Sequence, residues 1–150
     1  MNADALRVVI AAVLLLHGLA HLVALGALLS TLAGVRSPTG PVPQLWALRR
    51  LSTRSLALVG ALLWGPATAG FLGAASAFWG LWLNPSAWRP LASGASLISI
   101  LGIAVFAGTW PGSPSRNRSV LNTAIAAFMD VVILAALLWL RWPPVELFGR

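Results

Sequence analysis

VVIAAVLLLHGLAHLVALGALL, residues 8–29, is an apolar run of 22 residues whose only ionisable side chains are two histidines. A helix of this length measures about 33 Å at about 1.5 Å per residue, which matches the roughly 30 Å hydrocarbon core of a bilayer. The run is longer than the roughly 7–15 apolar residues of a secretory signal peptide. We therefore expect a retained transmembrane helix.

The composition of the whole chain supports this interpretation. Of the 150 residues, 59% are hydrophobic and 9% are charged, whereas an ordinary soluble domain carries roughly 25% charged residues. The mean hydropathy is +0.87. We expect a single all-α domain, an integral membrane bundle of four transmembrane helices. The predicted spans are residues 7–33, 55–83, 90–110 and 120–140.

The segments between these spans are rich in helix breakers. They read RSPTGPVPQ at 36–44, NPSAWRP at 84–90 and PGSPSRNRS at 111–119. Proline lacks an N–H donor and restricts the residue that precedes it, so such segments end helices. The pattern predicts short connections between the four helices.

All ten basic residues are arginines, and the net charge is +7. In a soluble domain this charge would suggest nucleic acid as a partner. Here the arginines lie at the ends of the apolar runs, so we expect a lipid bilayer as the partner and no nucleic acid. Arg49, Arg50 and Arg54, just before the second span, are the predicted lipid headgroup anchors.

The distribution of arginines also predicts an orientation. Six of the ten lie in the connections at 36–54 and 111–119, and four lie near the termini or in the connection between the second and third spans. By the positive-inside rule, the two arginine-rich connections are cytoplasmic and both termini lie outside.

Three ionisable residues lie at the centres of predicted spans. His17 and His21 are four residues apart, about 40° around a helix axis, and so share a face. Asp130 is the central residue of the fourth span. Because an unpaired carboxylate inside a bilayer costs several kcal/mol, we expect the first and fourth spans to touch and Asp130 to bond to one of the histidines.

This trio allows several interpretations. It fits a polar clamp that fixes helix register, and it fits a proton-responsive or ligand-binding site, because an imidazole beside a carboxylate can titrate near neutral pH. A third interpretation is a cofactor site, with His17 or His21 as the axial ligand of a haem or a chlorophyll-type ring. The two histidines are also the candidates for binding a metal ion.

A candidate pocket involves the second and third spans. Trp64 and Pro66 lie well inside the second span, and Ser96 and Ser99 give the third span a weakly polar face. Kinks at proline sometimes frame a cavity, so these four residues are a candidate pocket. The spacing of Ala69, Gly73 and Ala77 predicts that this stripe faces a neighbouring helix.

Sequence signatures of catalysis are absent. The chain has no cysteine and only three acidic residues, Asp4, Asp130 and Glu146. No phosphate-binding loop, nucleophile elbow or metalloprotease helix occurs. General acid–base chemistry would depend on Asp130 and the two histidines alone, so we favour a non-catalytic protein.

The first helix resembles that of a known group of membrane proteins. RVVIAAVLLLHGLAHL, residues 7–22, has an arginine that begins an apolar run leading into His-Gly-Leu. In this it resembles the DoxX-like family of small bacterial membrane proteins. His17 and Gly18 match the family motif, whereas His21 stands where the family commonly has lysine. The resemblance implies a four-helix inner-membrane protein, sometimes associated with quinone-linked or oxidative-stress redox systems.

Together, the residues and the resemblance predict a small polytopic membrane protein. The leading hypothesis is a non-catalytic subunit or small-ligand-binding bundle, accessory to a larger membrane redox complex. The alternatives are a small proton-coupled carrier that acts as an oligomer and a pigment- or haem-binding subunit. The expected partners are the bilayer and either other membrane subunits or further copies of the chain.

Overall fold

A computed structural model describes residues 3–35, 48 and 50–144, and these form four α-helices. A 3-10 turn at Pro85–Ala87 precedes α3, and a π-helical turn at Ala135–Trp139 continues α4. The helices are α1 at Ala3–Leu32, α2 at Thr53–Trp79, α3 at Trp88–Val105 and α4 at Arg116–Leu134.

Each of the four helices in the described ranges is long and apolar enough to cross a membrane. The qualifying segments contain 29, 27, 21 and 24 residues, in chain order. The all-helical architecture that the sequence predicts is therefore present, with four helices of membrane-spanning length.

Three of the helix ends that differ from the predicted spans have a clear local cause. α2 ends at Trp79 rather than at residue 83, because Gly80 adopts a left-handed conformation, with φ 65°, and its N–H closes the last turn. α4 begins at residue 116 rather than 120, where the Ser115 hydroxyl accepts a hydrogen bond from the N–H of Arg118.

The end of α3 also comes early. The helix stops at Val105, five residues before the predicted boundary at 110. Phe106 leaves the helical conformation, and Gly108 has a φ of 71°. The chain then turns so that Trp110 is buried against the bundle instead of extending the helix.

Consecutive helices pack side by side, α1 with α2, α2 with α3, and α3 with α4. Small residues allow close approach at two of these contacts. A Cβ atom on Gly18 would lie 2.9 Å from Leu72 Cδ2, and one on Gly70 would lie 2.8 Å from Ala95 Cβ. Close backbone approach of this kind is how helices gain packing energy where burial from water offers none.

The predicted small-residue stripe on α2 is only partly correct. Ala77 is buried and Gly73 is partly buried, but Ala69 is exposed. Gly73 does meet α3, because a Cβ atom there would lie 3.5 Å from Leu91 Cδ1, and Gly70 approaches α3 more closely still. The stripe is therefore correct at Gly73 and Ala77 and wrong at Ala69.

The buried apolar side chains form two clusters, one on each side of a polar layer. On α1, Leu14 belongs to the first cluster and Leu28 to the second, with the two histidines between them. On α4, Ile133 belongs to the first and Ala126 to the second, with Asp130 between them. The polar residues of both helices therefore lie at the same level of the bundle.

The outer surface of the bundle is strongly apolar. Large aliphatic and aromatic side chains point away from the core on every helix, with exposed fractions of about two thirds for several of them. Clear examples are Leu16, Val23, Leu62 and Phe128. A surface of this kind is unfavourable in water and suits a lipid environment.

Candidate functional site

The centre of the bundle contains a hydrogen bond between the first and last helices. His17 Nε2 on α1 lies 2.9 Å from Asp130 Oδ1 on α4. Asp130 is fully buried, and His17 is 7% exposed. The structure thus contains the bond that the sequence predicts between Asp130 and one of the two histidines.

Ser99 on α3 joins this pair to His21. Its Oγ lies 2.5 Å from Asp130 Oδ2 and 2.7 Å from His21 Nε2. The other ring nitrogen of His21, Nδ1, lies 3.2 Å from the carbonyl oxygen of His17, one turn earlier on α1. We call His17, His21, Ser99 and Asp130 the polar centre.

Aromatic rings enclose the polar centre. The ring of Phe71 on α2 presents its edge to both imidazoles, with centroid distances of 4.5 Å to His17 and 5.4 Å to His21. Trp110 lies edge-on to His21 at 5.4 Å. These rings keep the surroundings apolar, which strengthens each hydrogen bond and raises the cost of leaving one unmade.

The positions of some protons follow from the acceptors. The carbonyl oxygen of His17 can only accept, so its bond to His21 places a proton on His21 Nδ1. When Oδ1 of Asp130 carries no proton, His17 donates to it from Nε2. The direction of donation stays open along His21 Nε2, Ser99 Oγ and Asp130 Oδ2, because a hydroxyl group has one hydrogen.

Two proton arrangements satisfy every hydrogen bond of the polar centre. In the first, Asp130 is a carboxylate that accepts from Ser99, and His21 donates to Ser99 as an imidazolium. In the second, Asp130 carries a proton on Oδ2 and donates to Ser99, which donates to a neutral His21. The two contain the same number of protons. The first contains two charged groups, and the second contains none.

The polar centre also resembles a metal ligand set. The ligand atoms of His17, His21 and Asp130 lie within 4.8 Å of one another. Two imidazole nitrogens and a carboxylate oxygen are a combination that suits Zn²⁺. In the structure these atoms bond to one another and to Ser99, so a metal ion or a haem-type ring would have to displace those bonds.

The structure does not bring the four candidate pocket residues together. Trp64 is buried against Phe106 and Trp110, and Ser96 is buried within α3. Pro66 is exposed on α2, whereas the other three residues are buried. Ser99 belongs to the polar centre instead.

The predicted headgroup anchors lie at the start of α2. Arg50 and Arg54 are exposed, Arg54 in the first turn of the helix and Arg50 just before it. Arg49 lies outside the described residues. The exposed positions leave both described guanidinium groups accessible at the end of an apolar helix.

An apolar cleft that the sequence reasoning missed runs beside the polar centre. It lies between the first half of α1 and the last half of α4, has a volume of about 220 Å³, and is lined by twelve residues, all nonpolar. Its lining includes Leu14 and Ile133, each one helical turn from a member of the His17–Asp130 pair. The inner end of the cleft therefore lies next to that pair.

No protein-family model, curated protein or solved structure matches this chain. The resemblance to the DoxX-like family therefore stays a prediction.

Proposed function

We propose that this protein is a non-catalytic, membrane-spanning bundle whose polar centre binds an exchangeable proton, and that it works within a larger membrane assembly. Four apolar helices with an apolar outer surface support the membrane placement. The distribution of arginines and the DoxX-like first helix support a bacterial inner membrane, with residues 36–54 and 111–119 cytoplasmic and both termini outside.

The observation that carries the proposal is the unbroken chain of hydrogen bonds through His17, Asp130, Ser99 and His21. The four residues are between 0% and 7% exposed. Because the polar centre is closely packed, it can bind a proton without rearrangement. A larger ligand would have to break the hydrogen bonds among the four residues. Intramembrane ionisable groups that pair in this way commonly mark proton sites.

A small proton-coupled carrier is the second candidate. The observation that favours it is the position of His17, which is 7% exposed and lies one helical turn from Leu14, a residue that lines the apolar cleft. A proton could leave or enter the centre there. A carrier of this size would act as an oligomer, whereas an accessory subunit would purify with other membrane polypeptides, so the mass of the native complex separates the two.

Infrared difference spectroscopy tests the proton site directly. The sequence contains three acidic side chains, so the variant Asp4→Asn/Glu146→Gln retains Asp130 alone. In lipid nanodiscs between about pH 5 and 9, we expect the C=O stretching band of a protonated carboxyl group, with an intensity that falls as the pH rises.

The matched control adds Asp130→Asn to the same variant, and the band should disappear. A band that is absent throughout this range, or whose intensity does not respond to pH, would contradict the proposal. The polar centre would then be a clamp that fixes helix register and has no exchangeable proton.

A further inference from the structure

The apolar cleft between α1 and α4 extends to the end of the bundle that contains the start of α3. Its lining residues at that end are Trp88, Trp142 and Pro143, while Val13 and Met129 lie deeper. Tryptophan favours the boundary between lipid and water. If the helices span a membrane, the cleft therefore runs from the headgroup level toward the middle of the bilayer.

Arg89 contacts two of the lining residues at this end of the cleft. Its guanidinium group donates a hydrogen bond to the carbonyl oxygen of Pro143 and lies 5.4 Å from the centre of the Trp88 ring. These contacts position the cation and, among the residues that the structure describes, use few of its five N–H donors. Its guanidinium group therefore has donors left for an acceptor at this end of the cleft.

We propose that this cleft binds one acyl chain of an anionic phospholipid, whose phosphate is held by Arg89. A fixed guanidinium group matches the geometry of phosphate oxygens. Arg141, which precedes the lining residue Trp142, adds a second positive charge to this end of the chain. The positive charge complements an anionic headgroup.

The size of the cleft suits a narrow occupant. Its volume of about 220 Å³ is too small to contain a whole helix, which is about 10–12 Å in diameter with its side chains. An extended alkyl chain fits such a space and meets only nonpolar side chains. The bound chain would cover Leu14 and Ile133 and so exclude water from the adjacent His17–Asp130 pair.

This inference depends on the proposed membrane placement but not on the proton site. Its test is native mass spectrometry of the detergent-purified protein, with phosphatidylglycerol or phosphatidylcholine added at equal concentration. We expect one bound phosphatidylglycerol and weaker binding of phosphatidylcholine. Inorganic phosphate added alone should not compete, because the acyl chain contributes to binding.

Two variants locate the site. Arg89→Gln should weaken binding of phosphatidylglycerol about tenfold or more, because a hydrogen-bonded charge contributes about 1.5–3 kcal/mol. Ala136→Leu should fill the cleft and remove the bound lipid. The matched controls are Arg118→Gln and Ala124→Leu, which change exposed residues of α4 outside the cleft and should bind lipid as the unmodified protein does.

Equal binding of the two lipids, together with unchanged binding in Arg89→Gln, would overturn the proposal. An equal loss in the control variants would also overturn it, because the lipid would then be held by general contact with the surface. Arg89→Gln alone decides the headgroup assignment if Ala136→Leu does not fold.

Discussion

The two sides of α1 are joined to their neighbours in different ways. Toward α2, Gly18 and Gly60 allow helix-to-helix approach, and a Cβ atom at either glycine would lie within about 3 Å of a leucine side chain. Toward α4, a hydrogen bond joins His17 to Asp130, and an apolar cleft lies beside it. One contact depends on shape over many residues, and the other depends on a few polar atoms.

This difference shows how a bundle with few buried polar side chains can still fix one relative position of its helices. Close packing supplies attraction in lipid but tolerates sliding between similar small residues. A buried hydrogen bond fails if either partner shifts by one residue, so it fixes register. We infer that α1 and α2 provide stability, whereas the polar centre determines where α4 lies.

The largest effect should come from the packed side. Phe71→Ala removes a fully buried ring that touches both imidazoles, and we expect a loss of about 3–5 kcal/mol in the free energy of unfolding. Reversible unfolding in mixed detergent micelles measures it. Phe128→Ala, at a position 66% exposed, is the control and should cost about 0.5 kcal/mol or less. Similar losses in both variants would show that the buried ring of Phe71 contributes no more to stability than the exposed ring of Phe128.

The polar side should follow. Asp130→Ala leaves the His17 and Ser99 side chains without their shared partner, and we expect a loss of about 2–4 kcal/mol. A double-mutant cycle with His17→Ala should give a coupling energy of about 1–2 kcal/mol in the same unfolding assay. Strictly additive losses would mean that the two side chains do not interact.

A smaller effect distinguishes two glycines on α1. Gly18→Ala places a methyl group against Leu72 and Phe71, whereas Gly26→Ala meets nothing within 4 Å. We expect Gly18→Ala to be about 1–3 kcal/mol less stable than Gly26→Ala. Thermal denaturation of the two variants in one detergent checks this. Equal stabilities would show that close packing at Gly18 does not stabilise the contact between α1 and α2.

The smallest effect should come from Asp130→Asn. In the neutral arrangement, the amide N–H₂ donates to Ser99 where the carboxyl O–H did, and every hydrogen bond is kept. We expect a change of less than about 1 kcal/mol in the free energy of unfolding. A loss as large as that of Asp130→Ala would show that the charged arrangement holds the centre together.

The sequence was sufficient to predict the four helices and the meeting of α1 with α4. The contact between α1 and α4 was predictable because the two histidines are the other ionisable groups at the depth of Asp130. The role of Ser99 was harder to predict. A serine in an apolar helix can satisfy its hydroxyl on its own backbone, so Ser96 and Ser99 looked alike until packing oriented them.

Other features depend on packing that periodicity does not encode. The exposed positions of Pro66 and Ala69 depend on how α2 is rotated about its axis. The cleft arises where α1 and α4 approach without closing. A cleft of this kind depends on the relative positions of two helices, which the sequence of either helix alone does not specify.

The central claim is that imidazole groups of α1 and the carboxyl group of α4 form one hydrogen-bonded centre. Solid-state NMR tests it most directly, because the chain has two histidines and selective ¹⁵N-histidine and ¹³C-aspartate labels give a small set of signals. We expect protonation of His17 at Nε2 and of His21 at Nδ1, with a close contact between His17 Nε2 and the Asp130 carboxyl carbon. Imidazole signals without any contact to that carboxyl group would contradict it.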